Sequence, residues 1–266
     1  VTGNVTLNGG STNARIAQVN IATGGTLNIS GGLTYNAAGA ARAVINMSTG
    51  TGVLNLAGAL TVNNGTLTAG TLGSTFNYNG TAAQTVRIGV SSIVYNNLHA
   101  NNTSAAGATL DAAISAVNVT GNVRVQSGIL NNGGFAIVGS AGDTFQVVNG
   151  ARFNLTGTSA MASGFGTRTF GATSTVNFQG GAQTVASGLT YGHLILDGGS
   201  TKTMAAGTTT IAGDFTLGTG TTRAATNNPT VNLAGNFSNS GTFNAGTGIF
   251  TFNGTAAQAI TGATTF

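Results

Sequence analysis

Thr75–Val86 reads TFNYNGTAAQTV, and Ile249–Ile260 reads IFTFNGTAAQAI. Thr175–Val185 carries a version one residue shorter, TVNFQGGAQTV. A phrase written three times in one chain points to a structural unit that stacks on copies of itself. Within each copy, apolar and small polar residues alternate before a Gly-containing break. That is the period-2 pattern of a strand with one buried face, followed by a turn.

Working outward, the repetition extends well past the phrase. Leu54–Gly58 (LNLAG) matches Val231–Gly235 (VNLAG), and Asn64–Gly70 (NGTLTAG) matches Ser240–Gly246 (SGTFNAG). Val1–Gly10 (VTGNVTLNGG) matches Val119–Gly128 (VTGNVRVQSG). The shared glutamines, Gln84, Gln183 and Gln258, lie 99 and then 75 positions apart. The two spacings differ by 24, about the length of one turn of a β-helix. Adding a whole coil changes the length of such a stack without breaking it. An aromatic residue follows each glutamine, Tyr95, Tyr191 and Phe266. The match of Val1 to Val119, and of Phe266 to Tyr191, places both termini inside a repeat. We therefore expect residues 1–266 to form one continuous solenoid with uncapped ends, either a segment of a longer chain or a filament subunit, since free-standing solenoids need polar caps.

Composition favours the same fold class. Of 266 residues, 44 are Gly, one is Pro (Pro229) and none is Trp or Cys. Immunoglobulin-like sandwiches, the main all-β alternative, use hairpins, more Pro and often a core Trp. Glycine at corners permits tight bends, and residues 41% hydrophobic suffice for a core. The expectation is an all-β, right-handed parallel β-helix of about 12 coils at roughly 22 residues per coil, without substantial helix. Val53–Val62 and Val231–Phe237 read as strands, and Ala37–Val44 as a loop or single turn. Val176 with Phe178, Phe76 with Tyr78, and Phe250 with Phe252 should face inward together.

The string GTFNAGTGIFTFNGTAAQAITG (Gly241–Gly262), with its aromatic-x-x-Leu element and VTGNV-type coils, resembles the repeats of large bacterial surface proteins of the filamentous-haemagglutinin-like and autotransporter-like kind. The resemblance covers nearly the whole chain. It implies a right-handed β-helix, secretion and surface display. It carries no shared catalytic residues.

Charge is scarce: 8 Lys and Arg against 4 Asp, 5% of the chain where an ordinary domain has about 25%. The net charge of +4 is scattered over Arg15, Arg42, Arg87, Arg124, Arg152, Arg168, Lys202 and Arg223, so no basic face for nucleic acid is expected. No run of apolar residues is long enough for a membrane-spanning helix. The carboxylates are Asp111, Asp143, Asp197 and Asp214. β-Helical polysaccharide-degrading enzymes need clustered carboxylates, and Asp197 with Asp214 could lie on neighbouring coils of one face near Lys202. The plainer reading has Asp197 opening the turn Asp197-Gly198-Gly199 and Asp214 solvated, balancing Lys202. His99 and His193 could be exposed ladder neighbours, but too few other ligands accompany them for a metal. The expectation is therefore no catalytic, cofactor-binding or metal site, and no enzyme. The frequent N-x-[ST] triplets follow from composition, and the aromatics read as core rather than as a sugar platform.

The function these features imply is structural. The chain would form or decorate a filament, sheath or biofilm matrix outside a bacterial cell, with self-association, head-to-tail or lateral, as the main partnership. An adhesin stalk bearing a separate binding domain is the alternative, a β-helical polysaccharide-degrading enzyme is a weaker one, and cell-surface glycans are a further candidate partner.

Overall fold

The computed structural model describes residues 1–10 and 15–266. The chain is nearly all β, and its strands stack in parallel as a β-solenoid of about eleven turns. Every strand pairing described is parallel and most are in register. A single 3₁₀ turn, Ala40–Arg42, lies within the segment read as a loop or turn, and the strand Ala43–Asn46 follows it at once. The turn count is lower than the expected twelve because several coils are longer than 22 residues. Asn55 sits on Asn28, 27 positions earlier, and Gly32 meets Asn4 across 28.

The described residues form two compact units. The first comprises Val1–Leu130, Ile137–Phe145 and Ser163–Thr167. Its early coils each contribute to three ladders. One runs through Val5–Gly9, Leu33–Ala37 and Leu60–Asn64, and a second through Ala17–Asn20, Ala43–Asn46, Thr66–Thr68 and Ile93–Val94. The third runs through Thr26–Ile29, Val53–Leu56, Thr75–Tyr78 and Asn97–Asn102. Inward positions align from coil to coil. Leu27, Leu54, Phe76, Leu98 and Val123 stack in one column, and Ile29, Leu56, Tyr78 and Ala100 in the next.

The second unit comprises Asn131–Ala136, Gln146–Ala162 and Arg168–Phe266. It too has three ladders. The longest holds Arg152–Leu155, Thr175–Phe178, His193–Leu196, Phe215–Leu217, Phe237–Asn239 and Ile260–Thr261. Its core column is Phe153, Val176, Leu194, Phe215 and Phe237, all fully buried. Burying each such side chain contributes about 1.5–3 kcal/mol.

Two segments read as single strands each break in the middle. Val53–Val62 is two strands, Val53–Leu56 and Leu60–Asn64, and Val231–Phe237 likewise splits into Thr230–Leu233 and Phe237–Asn239. The break falls at Ala-Gly in both. There the amide of Gly58 donates to the carbonyl of Gly31 one coil away, and that of Gly235 to Gly213. A Cβ on Gly58 would lie 2.4 Å from the Gly31 backbone, and one on Gly235 2.3 Å from the Gly213 oxygen. The chain turns a corner at a glycine because nothing larger fits between coils.

Candidate functional site

The repeated phrase builds the most regular polar feature of the solenoid, a glutamine clamp. Gln84 Oε1 accepts from the Gly80 amide at 2.7 Å, while Nε2 donates to the carbonyls of Leu56 and Gly58 one coil back, at 2.9 and 2.8 Å. Gln258 repeats the pattern with Gly254, Leu233 and Gly235, and Gln183 with Gly180, Leu155 and Ser159. Each side chain thus closes its own turn and ties it to the preceding coil. Gln84 and Gln183 are buried, where an unsatisfied amide or carbonyl would be costly. Behind two of the clamps a tyrosine hydroxyl donates to the chain. Tyr95 reaches the Arg87 carbonyl at 2.9 Å and Tyr191 the Ala186 carbonyl at 3.0 Å.

A second feature accounts for the charged residues singled out above. At corners, an acceptor side chain takes the backbone N–H that starts the equivalent strand one coil later. Asn4 accepts from Gly32, Asn97 from Asn122, and Asn122 from Thr144. In the second unit three acceptors follow in succession. His193 Nδ1 accepts from Asp214 N at 2.9 Å, Asp214 Oδ1 from Asn236 N at 2.8 Å, and Asn236 Oδ1 from Ala259 N at 2.9 Å. His193 and Asp214 are therefore successive rungs of a corner ladder, with Asp214 Oδ2 also 3.4 Å from Nδ1.

This arrangement revises several expectations. Asp214 does not balance Lys202. It holds the next corner, accepting the Asn236 amide that leads into the strand Phe237–Asn239. Asp197 and Asp214 do lie on adjoining coils, but at opposite ends of the paired strands His193–Leu196 and Phe215–Leu217. They form no carboxylate pair. Asp197 does open its turn, with Gly198 and Gly199 at φ of 73° and 72°. His99 and His193 are not ladder neighbours. His99 sits between Asn77 and Arg124, and His193 beside Thr175 and Asp214. Burial and the Arg124 charge lower the pKa of His99 to about 4. Asp111 accepts from the amides of Ile88 and Gly89 and pairs with Arg87 at 3.0 Å.

Lys202 and Arg223 occupy positions that sequence reasoning missed. In the ladder Gln183, Lys202, Arg223, Phe243, both cations point into the core. Lys202 Nζ donates to the carbonyls of Gly180, Gly181 and Gly199 at 2.8–3.0 Å. Burial lowers its pKa, while the Asp197 charge acts the other way. Arg223 Nη1 donates to the carbonyls of Asn244 and Ala245. Both continue the glutamine's role of tying corner carbonyls. Period-2 alternation places Lys202 on one face with Met204, and Arg223 with Thr221 and Ala225, but does not by itself say which face is inward. The rarity of buried Lys and Arg hid it.

Among the described residues no group of three or more His, Cys, Asp or Glu side chains could hold a metal, and no helix is long and apolar enough to cross a membrane. Comparison with protein-family models, curated proteins and solved structures finds no match. Fold and polar architecture define a class, a parallel β-solenoid whose corners are tied by side-chain-to-backbone bonds between coils.

Proposed function

We propose that the chain is a structural protein of a bacterial exterior, forming or decorating a filament, sheath or matrix by stacking further coils on its own. The observation that supports this most is the outermost coil of the second unit. Its strands Ile249–Phe252 and Ile260–Thr261 are paired on one side only. There Ile249, Ile260 and Phe266 are exposed, at 63%, 50% and 52%. They border a cluster in which Phe266 lies 5.2–6.0 Å from Phe243, Phe250, Phe252 and Phe237. Unpaired backbone groups beside an apolar face form a template for another strand. A further coil, from the same chain or from a second copy, completes it in the same way.

The sparse charge supports close packing of such chains, since little repulsion or desolvation opposes it. The resemblance to surface-protein repeats supports an extracellular location. A head-to-tail contact that does not close on itself yields a fibre. Sedimentation velocity and negative-stain electron microscopy over a concentration series test this. Concentration-dependent fibres or end-joined oligomers are expected, and Ile249→Asp with Phe266→Asp should abolish them. A monodisperse monomer at high concentration would overturn the reading.

A further inference from the structure

Asparagine is a thermolabile residue, and it is most labile before glycine, whose missing Cβ leaves the following backbone nitrogen free to approach the side-chain amide. The chain holds six such Asn-Gly pairs, beginning at Asn8, Asn64, Asn79, Asn132, Asn149 and Asn253. Closure onto the nitrogen needs two freedoms. The glycine N–H must be released, and the carboxamide must swing back onto it.

Five of the six pairs lack one or both. The glutamine clamp holds the Gly80 amide after Asn79 on Gln84 Oε1 at 2.7 Å, and the Gly254 amide after Asn253 on Gln258 Oε1 at 2.9 Å. Asn132 is buried, with Oδ1 accepting from the amides of Gly134 and Thr156 and Nδ2 donating to the Phe135 carbonyl. Asn149 Oδ1 accepts from Thr173 N while the Gly150 amide donates to the Thr173 carbonyl, both at 3.2 Å. Asn8 Oδ1 accepts from Asn36 Nδ2 at 3.1 Å, inside the paired strand Val5–Gly9.

Asn64 differs. It ends the strand Leu60–Asn64, just past a register shift against Tyr35 and Asn36, and it is exposed together with Asn63, so solvent reaches it. Among the described residues no hydrogen bond holds its carboxamide, and none is donated by the Gly65 amide. The same tripeptide, Asn-Gly-Thr, stands at Asn79 and Asn253, where the clamp glutamine follows four residues after the glycine. After Gly65 that place is Ala69.

We infer that Asn64 is a site of spontaneous deamidation in the folded chain, the one Asn-Gly-Thr corner without its protecting clamp. Gly65 N bonds to Asn64 Cγ, and the side-chain nitrogen leaves as ammonia with the proton that Gly65 gives up. The resulting succinimide takes up one water and opens at either carbonyl, to aspartate or isoaspartate. The new carboxylate lowers the net charge of +4 by one. Isoaspartate also adds a methylene to the backbone at a corner where a Cβ on Gly65 would lie 2.4 Å from the Tyr35 ring. The inference does not depend on whether the chain assembles.

Incubation of the folded protein at mildly alkaline pH in heavy-oxygen water, followed by peptide mapping by mass spectrometry, tests it, because opening of the succinimide leaves one solvent oxygen in the product. Asn64 should take up label at least about tenfold faster than each of the other five, roughly the factor that one net hydrogen bond is worth in a rate. In guanidinium chloride the six should react at comparable rates, since they share the dipeptide and have lost their partners. No label at Asn64 in the folded chain, another site as fast as Asn64, or an equal lead for Asn64 in the unfolded chain would overturn the inference.

Discussion

Thr75–Val86 and Ile249–Ile260 are nearly the same sequence in two settings. Both make the glutamine clamp with the same partners and almost the same distances. Their burial differs sharply. Phe76, Tyr78 and Gln84 lie between coils and are buried, whereas Phe250, Phe252 and Gln258 are half-buried and Ile249 is exposed. Corner geometry is thus written in the phrase itself, while the hydrophobic stabilisation comes from the coil placed on top. The aromatic that follows differs too. Tyr95 closes its turn with a hydroxyl bond, and Phe266, at the corresponding place, has no hydroxyl and lies against four other phenylalanines.

Paired substitutions measure that difference. The largest effect is expected for Phe76→Ala, about 3–5 kcal/mol as for a fully packed phenylalanine, against about 1 kcal/mol for Phe252→Ala. Urea unfolding of both variants checks this, and equal losses would mean that the two settings do not differ in packing. Gln84→Ala should cost roughly 2–3 kcal/mol, because it leaves the buried Gly80 amide without its acceptor and the Gly58 carbonyl without its side-chain donor, while Leu56 keeps only the Asn79 amide. Gln258→Ala, where water reaches the same groups, should cost about 1 kcal/mol.

The third test concerns pH within the first unit. The folded pKa of His99, about 4, lies below its ordinary 6.5. The unfolded chain therefore binds the proton first, and stability falls as pH drops from about 6.5 to about 4. The loss is on the order of 2 kcal/mol, allowing for the partial exposure of the ring. His99→Asn, which places an amide above Asn77 in the ladder, should flatten the slope in that window. An unchanged slope would assign the pH dependence elsewhere. The smallest effect belongs to the outer amide ladder. Asn55 donates to Asn28 at 2.7 Å and accepts from Asn77 at 3.0 Å on a partly exposed face. Asn55→Ala should cost about 0.5–1 kcal/mol, read from the shift of the urea midpoint.

The fold was largely legible because repetition and period-2 alternation both survive in the residues. Phe76 with Tyr78 and Val176 with Phe178 face inward as their spacing requires. Corners inside apparent strands were less legible. The run Val53–Val62 alternates correctly straight through its bend, and only contact of Gly58 with the coil below distinguishes a corner from a continued strand. The polar residues were least legible. Asn4, Asn122 and Asp214 stand in the same apolar-x-Gly-acceptor-apolar frame, but their partners are backbone amides 22 to 28 positions away, which alternation cannot reveal. In the sequence Arg223 stands only as one of several scattered basic residues. Its burial becomes visible only once Lys202 and Phe243 are known to lie beside it in the ladder.

The central claim is that successive coils lie in parallel register. The chain contains no cysteine, so introduced pairs report on it cleanly. Asn28→Cys with Asn55→Cys, and Asn55→Cys with Asn77→Cys, place thiols on adjacent rungs and should each oxidise to an intramolecular disulfide. Asn28→Cys with Asn77→Cys spans two rungs, about 10 Å, and should not. Disulfide mapping by mass spectrometry that found the two-rung pair closing as readily as the adjacent pairs, or the adjacent pairs remaining reduced, would contradict the stacked solenoid.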